Sequence, residues 1–310
     1  MSDLVTVGDA SLRLSPVGSE RLETATDVRM RTAGTECAVA VAASRLGADS
    51  VWMSQLPDTA LGRRVVSELH EHGITTDVNW VESGRQGLLF HESASEPRES
   101  MTIPDRVETA AASMTPGDLT MDRVQNARMV FVAGSTLALS DTAMQTAQAV
   151  MRAGGGGETG LAVFDLDYQP SMWSPEAAKP KVTTLLDATD VLFANEDQLR
   201  TVLDRSGQPR ELAHTLAAER DIDMVVITRS EHGAIAYHDG VIHEQDSIET
   251  DVVDPAGQHE AFIGGYLQRL AEGAPPDEAL SYGVGTAALA RTIPGPLTTV
   301  NREEVEALLD

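Results

Sequence analysis

Apolar, β-type runs alternate with helical patterns along almost the whole of this sequence, and no other feature constrains its fold as much. Buried parallel strands consist of continuous apolar residues, and each parallel return requires a crossover that is usually a helix. The alternation therefore predicts an α/β fold with a mostly parallel sheet between helices. The predicted strands are residues 4–8, 51–56, 127–134, 161–167, 190–195 and 223–229, and the predicted helices are 37–47, 61–73, 141–153, 175–187, 258–272 and 276–291, with further helices between 195 and about 220.

Residues 78–107 break this rhythm. Short alternating runs occur there, separated by Gly, Ser and Pro. Such a segment predicts a few antiparallel strands that stand off the main sheet as a lid or a dimerisation clasp. A chain of 310 residues can bury one large core. We therefore expect a single domain over residues 1–310, with a small β lid formed by about 78–107.

The tetraglycine at 154–157 is the one low-complexity piece of the sequence. Neither a lysine nor the strand, loop and helix of a phosphate-binding loop follows it. The pattern favours a flexible connection between a helix and a strand over a phosphate site.

The charge of the chain is strongly acidic. Asp and Glu number 48 against 23 Lys and Arg, for a formal charge of −25, and Lys179 and Lys181 are the only lysines. Such a surface is expected to repel nucleic acid and anionic membranes, and it is typical of adaptation to a salt-rich cytoplasm. The lone Cys37 excludes an internal disulfide, and no signal-like start or long apolar run occurs. We predict a cytoplasmic location.

The stretch "VDPAGQHEAFIGG" at 253–265 carries the strongest local signal for chemistry. Gly257 precedes an apolar-periodic stretch, which predicts a helix N-terminus and with it an anion site. Glu260 in the first turn could accept a proton from an attacking hydroxyl. It could equally do no more than complement the helix dipole, and the local sequence leaves both interpretations open.

Several motifs occur in one order along the chain: "VTVGDASLRLSP" near the start, "AGTECAVAVAASRLG" after it, "VFDLDYQPSMW" at 163–173, "VVITRSEHGAIAYHDG" at 225–240, and then the stretch above. On these motifs the chain resembles the ribokinase, or PfkB, family of carbohydrate kinases, and within it the 2-keto-3-deoxygluconate kinases. The resemblance implies a ribokinase-like sheet between helices, a small β lid over the sugar site, and transfer of phosphate from ATP, with Mg²⁺, to a sugar hydroxyl.

The phosphate-transfer loop departs from the family pattern. Where the family has Gly-Ala-Gly-Asp, this chain has Gly257, Gln258, His259 and Glu260. The resemblance implies that Gly257 holds the phosphate and that Glu260 is the base. We expect His259 to crowd the phosphate, and a left-handed backbone there would cost roughly 1–2 kcal/mol. Alternatively, His259 is a phosphate ligand or a substitute acid.

A metal role for this loop has less support. After "HE", a helix-borne zinc motif needs a second histidine four residues on, and that position is Ile263. The sequence therefore assigns no residue to a metal site.

The residues at the positions that bind the sugar in the family also depart from the family pattern. The family's Ser-Asn after Gly34 is replaced by Cys37 and Ala38, and Cys37 is most simply a small buried hydrophobe. Its Asp-x-Asn-x-Arg motif reads Asp165, Asp167 and Gln169 here, so an anion-attracting arginine is lost and a carboxylate is gained.

In the lid, Leu89 and Phe90 replace tyrosines, while Arg106 matches the family's lid arginine. Arg106 could equally be a surface arginine that forms ion pairs with Asp105 and Glu108. The resemblance implies that the sugar is bound by Asp9, Gly34, Phe90, Arg106, Asp165 and Gln169.

The nucleotide side keeps more of the family pattern. Ser230 replaces the first glycine of a Thr-x-Gly-x-x-Gly turn, and Gln198 stands where a metal-organising glutamate is usual. Glu196 and Asp197 could supply a carboxylate to the water shell of Mg²⁺. The resemblance implies nucleotide-binding roles for Asn195, Thr228, Ser230, Gly233 and Asp254.

Two hypotheses about function stay open at this point. One is a kinase that uses Glu260 as base and Mg-ATP as donor, since phosphoryl transfer tolerates imperfect groups. The other is a catalytically silent homologue that binds a metabolite or nucleotide, or regulates an active relative. Because several departures fall at one chemical centre, the sequence favours impaired or absent transfer to ketodeoxygluconate. The expected partner is a small sugar or sugar acid, not nucleic acid or membrane, with a homo-oligomer formed through the lid as one arrangement.

Overall fold

The structure, a computed structural model, describes residues 2–18, 20–94, 97–155 and 160–310. Its strands are β1 (Leu4–Val7), β2 (Ser11–Pro16), β3 (Val28–Ala33), β4 (Ser50–Pro57), β5 (Thr75–Val81), β6 (Gly87–Glu92), β7 (Met101–Asp105), β8 (Met129–Ala133), β9 (Leu161–Asp165), β10 (Val191–Asn195), β11 (Met224–Thr228), β12 (Ala234–His238) and β13 (Val241–Gln245). Its α-helices are α1 (Thr35–Arg45), α2 (Ala60–Glu71), α3 (Met121–Gln125), α4 (Gly134–Leu137), α5 (Asp141–Gly154), α6 (Pro175–Leu186), α7 (Glu196–Leu203), α8 (Pro209–Arg220), α9 (Gln258–Ala271), α10 (Pro276–Ala290) and α11 (Arg302–Leu309).

The main sheet has the strand order β13-β12-β11-β10-β9-β8-β1-β4-β5. From β5 to β11 every neighbouring pair is parallel, and β12 with β13 adds an antiparallel hairpin at one edge. The central strands are mostly apolar because both faces are covered; all five residues of β8, "MVFVA", are buried. The predicted α/β fold, with a mostly parallel sheet between helices, is confirmed.

Two layers of helices cover the sheet. Helices α5, α6, α7 and α8 pack on one face, and α1, α9 and α10 pack on the other. On the second face, Phe193 of β10 meets Tyr266 of α9 edge to face, with ring centroids 5.3 Å apart. Gly264 lets α9 approach α1 closely, since a Cβ there would lie 2.4 Å from the Cβ of Ala42. This packing fixes the axis of α9 and therefore the position of its N-terminus.

The lid differs from the prediction in two respects. It is a four-stranded sheet in the order β3-β2-β6-β7, so β2 and β3, from residues 11–33, belong to it although the prediction omitted them. Residues 78–81, which were predicted to start the lid, instead complete β5, which pairs in parallel with β4 at the edge of the main sheet. Local alternation identifies a strand but not its partner, and the partner decides the sheet to which it belongs.

The outer strands of the lid expose apolar side chains. Val28 on β3 and Met101 and Ile103 on β7 are all more than two-fifths exposed. Association of two copies through this surface stays a prediction.

Two further expectations concern the glycine-rich connection after α5 and the length of the helices. Helix α5 ends at Gly154, and residues 156–157 of the predicted connection lie outside the described residues. Within the described ranges, no helix has the length and apolarity required to cross a membrane.

The charge of the chain predicts that its stability depends on salt. At a formal charge of −25, self-repulsion opposes the compact state, and salt weakens that repulsion because the Debye length is only about 3 Å at 1 M. We expect far-ultraviolet circular dichroism to show loss of helix when the protein is moved from molar KCl to dilute buffer. Retention of the full signal and an unchanged thermal midpoint in dilute buffer would contradict this expectation.

Candidate active site

The candidate site lies at the carboxyl ends of the parallel strands, the edge where ligands collect in open α/β sheets. Two cavities meet there. The lid-side cavity, of about 330 Å³, is lined by lid residues together with Gly34 and Gly257. The hairpin-side cavity, of about 570 Å³, is lined by the loop after β11 and by residues of α10. Glu260 and Gln169 line both cavities, so Glu260 stands at their junction.

Gly257 sets the start of α9. Its φ is 80°, and a Cβ at this position would lie 2.4 Å from the carbonyl oxygen of Pro296. Both observations require glycine, because a side chain would be strained and would also clash. The N-terminus of α9, with its partial positive charge, therefore faces the meeting point of the two cavities.

His259 has a different role from the one that its replacement of glycine suggested. It lies within α9 and is not among the residues with positive φ, so the left-handed strain that was expected is absent. Its Nε2 lies 2.9 Å from Oδ2 of Asp165, the last residue of β9. The imidazole is held by a buried carboxylate and lines the hairpin-side cavity.

His259 and Asp165 form a largely buried pair. The Asp165 side chain is fully buried and that of His259 is 29% exposed. Burial by itself lowers the pKa of His259, but the charge of the Asp165 carboxylate and its hydrogen bond outweigh this effect and raise the pKa to about 9. His259 therefore adds an imidazolium to the N-terminal turn of α9.

Glu260 lies in the first turn of α9, at the junction of the two cavities. Burial raises the pKa of its carboxyl group, while the neighbouring charge of His259 opposes the rise and Asp167 and Asp165 add to it. A pKa above the usual glutamate range brings the carboxylate closer to the basicity that proton abstraction near neutral pH requires.

The loop after β9 does not form the repelling wall that its carboxylates suggested. Asp165 lines neither cavity, because its Oδ2 meets His259. Asp167 is buried and accepts hydrogen bonds from the hydroxyl of Thr35 at 2.9 Å and from the side-chain amide of Gln169 at 2.7 Å. Burial, followed by the charge of Asp165, raises the pKa of Asp167. Much of the negative charge in this loop is thus balanced or reduced.

Arg106 reaches from the lid into the lid-side cavity. Its Nε donates to Oδ2 of Asp9 at 2.8 Å, with side-chain exposures of 13% and 2%. Asp105 is instead paired with Arg85, so the interpretation of Arg106 as a surface arginine that answers Asp105 is wrong. Asp9 does not itself line the cavity and acts by holding Arg106 in place.

Strand β6 presents Leu89 and His91 to the lid-side cavity. Phe90 lies between them in sequence and so faces the other side of the lid sheet. Phe90, which was predicted to contact the sugar, does not line the lid-side cavity. Gly34, which the resemblance assigned to the sugar, lines this cavity.

The hairpin-side cavity brings together four of the five residues predicted for the nucleotide, namely Asn195, Thr228, Ser230 and Gly233. Ser230 has a φ of 50°, which explains why the related turns have glycine there. Asp254 does not line the cavity. Its two carboxylate oxygens accept from the backbone N–H groups of Ala256 and Gly295, each at 3.0 Å, and so shape the loop that leads to Gly257.

The residues considered for Mg²⁺ are mostly engaged elsewhere. Glu196 pairs with Arg200, while Asn195 and Gln198 form the N-terminal capping box of α7. Across the described part of the chain, no group of three or more His, Cys, Asp and Glu residues is placed to hold a metal ion.

Two arginines that sequence reasoning missed line the cavities. Arg13 of β2 lines the lid-side cavity, and Arg291 lines the hairpin-side cavity, where it also donates to the carbonyl oxygen of Ile248. The pattern "SLRLSP", with one arginine between two leucines in a short strand, was the available signal for Arg13.

The first turn of α1 is buried behind the site. Burial raises the pKa of the Cys37 thiol well above its ordinary value, and Sγ lies 3.2 Å from the carbonyl oxygen of Gly34, so this cysteine is a packed side chain. Glu36 is fully buried; its Oε1 accepts from Ala133 N–H at 3.1 Å and from the Thr136 hydroxyl at 2.6 Å. Burial raises the pKa of Glu36 to about 8.

Replacing Glu36 with glutamine should flatten the dependence of stability on pH. Because the folded-state pKa of about 8 lies above the usual 4.5, the native protein loses stability as pH rises between these values. The loss is at most roughly 1.4 kcal/mol per pH unit. In urea unfolding between pH 5 and 8, the free energy of unfolding of Glu36→Gln should increase relative to that of the native protein as pH rises. A constant difference across this range would contradict the buried, protonated state of Glu36.

Taken together, the fold and the site define a phosphotransferase-like arrangement: two cavities with a carboxylate and a helix N-terminus at their junction. The chain matches the pfkB family of carbohydrate kinases over residues 1–302. It is 43% identical to the 2-dehydro-3-deoxygalactonokinase of Haloferax volcanii over 308 residues, which are 99% of this chain and 96% of that relative. It is 24% identical to the 5-dehydro-2-deoxygluconokinase of Bacillus subtilis, over 99% of this chain and 96% of the other.

The fold is shared with solved structures. The 2-dehydro-3-deoxygluconokinase of Thermotoga maritima superposes with a TM-score of 0.93 at 23% identity, over all of this chain and 99% of the other. This chain therefore belongs to the pfkB family of carbohydrate kinases and has its ribokinase-like fold. The predicted family is confirmed, together with its likeness to kinases of 2-keto-3-deoxy sugar acids.

Proposed function

We propose that this protein transfers the terminal phosphoryl group of ATP to a hydroxyl of a 2-keto-3-deoxy sugar acid, with Glu260 as the general base. The position of Glu260 carries the proposal, since it is the carboxylate at the junction of the two cavities and lies in the first turn of α9. A hydroxyl in one cavity and a phosphate in the other would meet at this residue.

The chemistry assigned to each group follows from its place. The acceptor hydroxyl oxygen forms a bond to the terminal phosphorus, its proton passes to Glu260, and the bond from that phosphorus to the oxygen of the departing ADP breaks. The N-terminus of α9, opened by Gly257, and the imidazolium of His259 supply positive charge where the transferring group carries its negative charge. His259 thus takes over part of the stabilisation that small residues and backbone amides provide in related loops.

The hairpin-side cavity suits a nucleotide. Its volume of about 570 Å³ is in the range of small-molecule sites, and it combines the apolar walls of Ile248 and Val284 with the polar residues predicted for this role. Arg291 adds a cation on this side.

Mg²⁺ would enter with the nucleotide phosphates, and Asp167, which lines the same cavity, would supply a carboxylate to its water shell. This ion keeps several waters and needs only one or two protein carboxylates, and it would neutralise phosphate charge.

The acceptor class is inferred from likeness and from charge. The Haloferax volcanii relative is a kinase of 2-dehydro-3-deoxygalactonate by name, and it matches this chain from end to end. The lid-side cavity contains two guanidinium groups, Arg13 and Arg106, which favour an anionic sugar over a neutral one.

The proposal is tested by phosphoryl transfer in molar KCl, with Mg-ATP as donor and with 2-dehydro-3-deoxygalactonate, 2-dehydro-3-deoxygluconate and neutral hexoses as acceptors. The phosphorylated products are identified by ³¹P NMR, and Glu260→Gln is the matched control. We expect transfer to the acids that the control lacks. Absence of transfer from folded protein to every acceptor would favour the catalytically silent homologue, and transfer unaffected by the substitution would overturn the role of Glu260.

A further inference from the structure

Arg13 is a buried cation in the wall of the lid-side cavity. It lies on β2, opposite Arg31 of β3 on one side and Leu89 of β6 on the other, and it is 7% exposed. Arg106 lines the same cavity from the opposite end of the lid sheet. Two guanidinium groups therefore border one space of about 330 Å³.

The two arginines differ in their partners. Arg106 is anchored by the carboxylate of Asp9. The described residues offer Arg13 neither a hydrogen-bond acceptor nor an ion-pair partner, and its Nε is buried without one. Burial lowers the pKa of Arg13, and the charges of Asp254 and Glu260 only partly oppose this effect. A buried guanidinium without an acceptor is costly, so its presence calls for an anion that arrives from the cavity.

The loop after β9 contributes no positively charged side chain to the lid-side cavity, and Arg13 supplies such a charge from β2. This loop carries Gln169 at the edge of the cavity, and its carboxylates are held by His259, Thr35 and Gln169. No guanidinium projects into the cavity from this loop. The positive charge of the cavity comes from the lid sheet instead.

We propose that Arg13 binds the carboxylate of the sugar acid and selects acidic over neutral acceptors. This inference rests on the proposed function, because it assumes that the lid-side cavity is the acceptor site. A carboxylate between Arg13 and Arg106 would accept paired hydrogen bonds from a planar guanidinium, while Glu260 at the other wall of the cavity faces the reacting hydroxyl. Arg13 thus determines specificity and takes no part in proton transfer.

The test compares Arg13→Gln with Arg29→Gln, which removes the same charge from an exposed position of the same lid sheet. We expect Arg13→Gln to raise the KM for 2-dehydro-3-deoxygalactonate by about 10- to 100-fold, with little change in kcat or in the KM for ATP. Arg29→Gln should leave all three unchanged. An Arg13→Gln enzyme with native KM for the acid would overturn the inference.

A second measurement separates this inference from the proposed function. Isothermal titration calorimetry of 2-dehydro-3-deoxygalactonate, and of a neutral hexose, measures binding whether or not transfer occurs. The native protein should bind the acid more tightly than Arg13→Gln does, with Arg13→Lys between them because an ammonium group keeps the charge but cannot form a bidentate pair. Equal affinity of the three proteins for the acid would overturn the role of Arg13. If binding follows this order while no protein transfers phosphate, the proposed function fails and the carboxylate site stands.

Discussion

Replacing Glu260 with glutamine is expected to lower kcat for phosphoryl transfer by about 100- to 10,000-fold, the range that a positioned general base contributes. The reason is its place at the junction of both cavities, next to the N-terminus of α9. The amide keeps the size and the hydrogen-bonding capacity of the side chain but cannot accept the proton. The KM values for both substrates should change little, since the substitution acts on the transition state. Steady-state kinetics by a coupled ADP assay would measure these effects.

Two comparisons sharpen this prediction. Glu260→Asp shortens the side chain by one methylene and, because the site is built around glutamate, should cost up to about 100-fold through misplacement alone. Glu71→Gln, an exposed substitution on α2, should be silent. A Glu260→Gln enzyme that retains a tenth or more of native kcat would remove Glu260 from the role of base.

Replacing His259 with glutamine is expected to move the acid limb of the pH–rate profile to higher pH as well as to lower kcat. The charge of His259 holds down the pKa of Glu260 against burial, so its loss lets that pKa rise. Glutamine is the appropriate replacement because its amide can still donate to the buried carboxylate of Asp165. Profiles of kcat between pH 5 and 9 for the two proteins would show the shift. An acid limb at unchanged pH would show that the imidazolium does not act on Glu260.

The substitution His259→Gln should also change how the stability of the protein depends on pH. Because the pKa of His259 in the folded protein, about 9, lies above the value of about 6.5 in an unfolded chain, its stabilising contribution is fully present below pH 6.5. It is lost as pH rises through 9, by at most roughly 1.4 kcal/mol per pH unit. The native protein should therefore exceed His259→Gln in stability at pH 6 by more than at pH 9.5. Denaturant unfolding at these two pH values measures the difference, and a gap that grows with pH would contradict the charged pair.

A single interaction in the structure, between His259 and Asp165, explains the departures of this chain from the family's loop. His259 alone looks like an obstruction, and Asp165 alone looks like a repelling charge. They lie 94 positions apart in sequence and form one ion pair. The pair explains how the site accommodates both changes, and for this reason we propose a working kinase instead of the impaired one that the sequence favoured.

The class of fold, the family and the start of the helix that carries the candidate catalytic residues could all be predicted from the amino-acid sequence. Strand and helix periodicities are local, so runs such as "MVFVA" predict buried parallel strands without knowledge of their neighbours. Gly257 before an apolar helix is also a local signal, and it placed the N-terminus of α9 correctly.

Which side chains meet could not be predicted from the sequence and became clear from the folded structure. Strands β2 and β3 belong to the lid, and β5 belongs to the main sheet. Arg106 pairs with Asp9, and Arg13 lines a cavity with no hydrogen-bond acceptor for its Nε among the described residues. Each of these outcomes depends on pairing between segments far apart in the chain. Spacing within a segment carries no information about such partners, because burial and electrostatic energy depend on distance in space and not along the sequence.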